Sequence, residues 1–137
     1  MTGSNPFLEL ARRAVDAGLA YAAEHELRMT LVVMDVTGTV CCAARNDGSK
    51  PITYAIAVAK ANTARVFEAS TVELAGRVKP ENKIAIGQLS TDIAFLGGGV
   101  PIVREGRVIG AIGASGGAEP QDVECAEAAL AATALSV

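Results

Sequence analysis

Leu8, Ala11, Val15, Leu19 and Ala22 recur at spacings of three and four, with Arg12, Arg13, Asp16 and Glu24 on the turns between them. That period places the apolar residues on one face and predicts an amphipathic first helix. The pattern then changes. Leu31 to Met34 and Val40 to Ala44 are β-rich runs joined through Asp35-Val36-Thr37-Gly38, a turn whose glycine tolerates a positive φ, and they read as a hairpin. After the loop Arg45-Asn46-Asp47-Gly48-Ser49, Pro51 opens an Ala-rich helix that runs to Phe67. Ser70-Thr71-Val72-Glu73 has the form of a capping box, so a short third helix is expected to end near Gly76. Lys79 to Ser90 has no clear period and reads as a surface loop or a partly helical excursion, and a short strand is expected around Ile93 to Phe95. Val100 to Arg104 and Arg107 to Ala114 flank Glu105-Gly106 and form a second hairpin; Pro120, Gln121 and Asp122 then open a final Ala-rich helix. Hairpins imply antiparallel pairing. The expected class is therefore α+β, an antiparallel five-stranded sheet with helices packed on it, in one domain spanning 1–137.

Composition narrows the function classes. Half of the 137 residues are hydrophobic and 20% are charged, a profile of a packed domain rather than a disordered chain. So small a domain has limited internal surface to cover its Ala-rich helix faces, which predicts a homo-oligomer, dimer or higher. Twelve basic against fifteen acidic residues give a net charge of −3 with no basic block, so no nucleic-acid footprint is present. Apolar runs are soon broken by a charge, Gly or Pro, short of the roughly 20 residues of a membrane span. The first six residues lack the basic and apolar regions of a signal peptide, which points to a cytoplasmic protein. Cys41, Cys42 and Cys125 have no zinc or redox spacing and read as reduced thiols; no metal site is expected.

Several blocks together resemble the GlcG/HbpS family, which includes the C-terminal domain of PduO-type proteins. They are Val33-Met34-Asp35-Val36-Thr37-Gly38, Arg45-Asn46-Asp47-Gly48, Ala59-Lys60-Ala61-Asn62-Thr63-Ala64, Gly98-Gly99-Val100-Pro101-Ile102, Ile109 to Gly117, and Gln121 to Ala126. The resemblance implies an α/β/α layered domain that assembles into oligomers and binds heme, a corrinoid or a small metabolite in a cleft between subunits. Family members commonly carry Met where this chain has Asn46.

The residues themselves leave two chemistries open. Lys60 and Thr63 share a helix face, and with Arg45 and Asp47 they form a candidate set for a small organic acid. An isomerase or lyase would use Lys60 or Asp47 as general base and Arg45 as carboxylate clamp. The alternative is that Arg45 and Asp47 pair across their loop while Lys60 is a solvated helix charge. Gly98, Gly99, Pro101 and Ser115 are candidate ligand contacts through backbone amides, or are simply turn residues. His25, the single histidine, is the axial candidate for heme, with Tyr54, Met29 and Met34 as weaker donors. Its competing reading is a surface group at a helix end.

Overall fold

The computed structural model describes residues 3–134. Its elements run α1 (Pro6–Glu24), β1 (Thr30–Asp35), β2 (Val40–Arg45), α2 (Ile52–Phe67), α3 (Thr71–Arg77), α4 (Pro80–Leu89), β3 (Gly99–Arg104), β4 (Arg107–Ser115) and α5 (Glu119–Thr133). Both expected hairpins form, and their inner strands pair antiparallel to give the order β2-β1-β4-β3. In the central ladder Leu31 faces Ala114, Val33 faces Ile112 and Asp35 faces Gly110.

Alternation along these strands sends side chains to two faces, and each face is covered by helix. On one, Leu31, Val33, Val100, Ile102, Ile112 and Ala114 meet the buried residues of α1 and α5 in the main core. On the other, Met34 and Ala111 meet Ala61 and Ala64 of α2. The second layer is thin because α2 lies almost backbone to backbone with the sheet. A Cβ at Gly113 would fall 1.9 Å from the Ala57 carbonyl oxygen, and one at Gly99 would fall 2.2 Å from that of Lys60. Glycine at both positions is what lets the helix approach so closely.

The sheet has four strands, not five. Ile93 to Phe95 stays outside it, and the Ala94 amide donates to the Thr63 hydroxyl at 2.8 Å where a strand neighbour would have supplied a carbonyl. Lys79 to Ser90 contains a full ten-residue helix, α4, in which no residue is buried. The capping box at Ser70 is not made: α3 starts there without a side-chain cap, and the neighbouring Thr71 hydroxyl instead accepts from the Gly99 amide at 2.8 Å. Cys125 sits in the main core, where burial pushes its thiol up to about 12. No helix among the described residues is long and apolar enough to cross a membrane.

Candidate functional site

Two places gather the residues singled out by the sequence. The first is the glycine turn leading into β3. Lys60, on the sheet-facing side of α2, is 2% exposed, and its ammonium donates to Asp122 Oδ2 at 2.9 Å and to the Ala114 carbonyl at 3.0 Å. Asp122 stands in the first turn of α5 and its other oxygen accepts from the Gly117 amide at 2.8 Å. Burial pushes the Asp122 carboxyl above its ordinary range, against the pull of Lys60 and of that amide. Gly98 lies over the ammonium, since a Cβ there would approach Lys60 Nζ to 3.0 Å, and its left-side φ of 123° lets its carbonyl take the Ala114 amide at 2.8 Å. The group therefore ties α2, the end of β4 and the start of α5 together. Its chemistry is that of a neutralised, hydrogen-bonded internal pair.

The charge partner of Lys60 is thus Asp122, 62 residues away, and not Arg45 or Asp47. Thr63 is fully buried; it donates to the Ala59 carbonyl at 2.7 Å and accepts from Ala94. Gly99 is held by Thr71, Pro101 pairs with Ala111 inside the sheet, and Ser115, 4% exposed, pairs with Thr30 at the end of β4. These residues sit in the fold's interior or its ladders.

The second place is the end of the sheet where α1 delivers the chain into β1. An open depression of about 600 Å³ lies there, lined by Ala22, Ala23, Glu26, Leu27 and Arg28 from the α1 side and by Asn46 and Asp47 from the β2–α2 loop. Arg28 Nη1 donates to the Asp47 carbonyl at 2.7 Å. Asn46 knits the two segments: its amide nitrogen donates to the Leu27 carbonyl at 2.8 Å and its amide oxygen accepts from the Met29 N–H at 2.9 Å. That explains an asparagine at this position, where a methionine could not bridge two backbones. His25 follows α1 directly, exposed, with its ring 4.2 Å from that of Tyr21. Tyr21 is itself anchored to α5 by donating to Glu124 at 2.7 Å, a bond that helps push its hydroxyl up to about 12. Arg45 is exposed at the end of the edge strand and donates to the Ser49 carbonyl at 3.0 Å.

Of the heme donors, Met29 and Met34 are wholly buried, whereas Tyr54 is 44% exposed on α2 and His25 is open to solvent. The structure therefore brings His25 and Asp47 to one end of the molecule and keeps Lys60 apart from them. Arg28 had no sequence-level signal beyond residue type, and Asn46 stood out only as a departure from the family's methionine, because their roles arise from contacts between segments 19 residues apart.

Comparison with known proteins places this geometry. The family model described as HbpS-like, haem degrading protein HbpS-like, matches residues 7–131. An uncharacterized 15.0 kDa protein encoded in the dhaT-dhaS intergenic region of Citrobacter freundii is 34% identical over 125 residues, covering 90% of this chain and 88% of that protein. The crystal structure of the Klebsiella pneumoniae protein ORFY superposes with a TM-score of 0.86 at 30% identity, covering 94% of this chain and 91% of the other. The crystal structure of a PduOC:heme complex superposes with a TM-score of 0.84 at 27% identity, over 90% of this chain and 91% of that one. With its family model matched over nearly the whole length, and the α+β fold shared with these structures, the chain belongs to the HbpS-like family.

Proposed function

We propose that this chain is a heme- or small-ligand-binding domain of the HbpS type, with His25 as the axial donor and the depression beside it as the seat. The observation that carries the reading is that the chain's one histidine is exposed at the end of the helix whose last residues line that depression. A heme held by one imidazole needs a nitrogen donor, apolar surface for the macrocycle and cations for its propionates. His25 offers the first, Ala23 and Leu27 the second and Arg28 the third. The donor set fits. When bound, heme supplies a redox-active iron; the chain supplies the axial nitrogen and the seat. That a similar fold is known in a complex with heme supports the same reading. A corrinoid or a small metabolite is the remaining ligand class under it.

An oligomer with the ligand in a cleft between subunits is part of the proposal. Ile84 and Leu89 of α4 and Leu96 beyond it are 64%, 86% and 52% exposed, apolar surface that a second copy would cover. Light scattering tests this, with a 14.0 kDa particle at micromolar concentration as the result against it. The alternative, an isomerase or lyase acting through Lys60, Arg45 and Asp47, has weaker support, because a general base must reach its substrate and the Lys60 ammonium is buried with two acceptors already in place.

Hemin titration decides the axial assignment. Wild-type protein should develop a Soret band with saturable hemin binding, and His25→Ala should abolish or shift it, since no second imidazole exists to replace it. An identical spectrum and affinity in the variant removes His25 from the site.

A further inference from the structure

At the opposite end of β1 from His25, the two hairpin turns and the last turn of α2 enclose an open groove of about 560 Å³. Its apolar lining is supplied by Val36, Val66 and Val108, and two guanidiniums, Arg65 and Arg107, border it. Neither has a carboxylate oxygen within 4 Å among the described residues.

Arg65 is held in place before any ligand arrives. Its Nη1 donates to the Val36 carbonyl at 3.2 Å and its Nη2 to Asn62 Oδ1 at 2.7 Å. Gly38 makes room for it, because a Cβ there would fall 2.8 Å from Nη2, and the φ of 84° at Gly38 favours glycine. Two features separate this arginine from a simple helix-end cation. Its Nε is sealed from solvent with no acceptor, a costly arrangement that stability would not select. Its two terminal nitrogens each keep one N–H beyond the bonds described, and a guanidinium presents such donors in the planar geometry that suits a carboxylate. Arg107 is exposed at the start of β4, directly after the tight turn Glu105-Gly106, where both residues have positive φ (53° and 76°). The turn fixes where that second cation begins.

We infer that this groove is a binding site for a small amphipathic carboxylate, the anion clamped by Arg65 and Arg107 and the alkyl portion laid on Val36, Val66 and Val108. A fixed guanidinium, a second, exposed one and three valines in the lining call for a ligand with one charged end and one greasy end. Glu68 lies on the same rim, at the left-handed end of α2 with φ 55°, and opposes the anion. Its presence sets the site's selectivity against ligands of higher negative charge.

The probe is hexanoate, followed by amide chemical shifts in uniformly labelled protein, with hexanol and inorganic phosphate as the arms that separate tail from charge. Saturable shifts confined to residues 36–38, 65–68 and 106–108 are expected with hexanoate, and weaker ones with either control. Arg107→Gln, which removes an exposed side chain and leaves folding intact, should weaken hexanoate by about tenfold or more, the loss of one charge-assisted contact. Arg65→Lys should weaken it as well while keeping the charge, and Glu68→Gln should tighten it. His25→Ala should leave it unchanged, so the outcome does not depend on the heme reading. Absence of saturable shifts, equal affinity in Arg107→Gln, or phosphate binding as tightly as hexanoate would overturn the assignment.

Discussion

Lys60 and Arg65 are cations five residues apart on one helix, and their surroundings are opposites. Lys60 is buried, faces a carboxylate at 2.9 Å and a carbonyl at 3.0 Å, and has its charge neutralised inside the protein. Arg65 is half-buried, spans two carbonyl-type acceptors, and leaves a sealed N–H unpaired; the Asp35 carboxylate feels its charge, but no carboxylate oxygen lies within 4 Å of it among the described residues. The lesson is that the more deeply placed cation is the less available one. A charge that has been neutralised internally holds elements together, whereas one left electrostatically open is free to attract something from outside.

The largest expected consequence follows from deleting the Lys60 ammonium. Lys60→Met leaves the Asp122 carboxyl buried without its partner and should destabilise the fold by about 3–5 kcal/mol, read as a shift in the urea midpoint. Lys60→Met combined with Asp122→Leu should recover most of that loss, because breaking a buried pair costs far more than replacing it with apolar groups. A single variant that unfolds like wild type would break the contrast. Next in size is Arg65→Met, which removes two modest hydrogen bonds together with one unsatisfied donor; it should change stability by about 1 kcal/mol or less. If it destabilises as strongly as Lys60→Met, Arg65 is a structural tie.

The smallest effect is a pH dependence. Asp35, at the turn beside Arg65, accepts from the Thr37 hydroxyl at 2.6 Å and from the Thr37 amide at 2.9 Å, and the hydroxyl bond leads in holding its pKa below 3.8. A folded-state pKa below the unfolded value contributes stability that is present above pH 3.8 and is lost as the pH falls through the folded value. Asp122 has the reverse sign. Its raised pKa contributes stability at low pH that fades as the pH climbs from 3.8 through the folded value. Asp35→Asn should therefore flatten the acid limb of a stability profile, and a limb of unchanged slope would show that the turn hydrogen bonds carry no linkage.

Much of the fold was legible in the chain, and the exceptions have physical causes. The first helix, both hairpins and the final helix follow from periodicity and turn chemistry, which are local. α4 escaped because its apolar residues Ile84, Ile86 and Leu89 define no face that the fold buries. The fifth strand failed at Ala94 because a side-chain hydroxyl, a tertiary feature, took its amide. Lys60 stood out as an isolated cation in an Ala-rich helix. Its partner, 62 residues on, leaves no trace in spacing, so the signal was visible while its meaning was not. Arg65 gave no signal at all, since its environment is assembled from two turns and a helix end.

The helix without a buried residue has a thermodynamic corollary. A ten-residue helix is too short to persist on its own strength, and α4 is tied back by little more than the Lys83 ammonium on the Ala75 carbonyl at 2.6 Å. Its opening free energy should lie far below that of the sheet, so its amides should exchange with deuterium first and independently of global unfolding. Limited trypsin digestion reads the same property: cleavage after Lys83 should precede cleavage within α2 or β4, and the Lys79–Pro80 bond should resist because proline follows it. Assembly that covers Ile84 and Leu89 would convert this segment from the first part of the protein to let go into one protected in step with the oligomer, making protease resistance a concentration-dependent gauge of association.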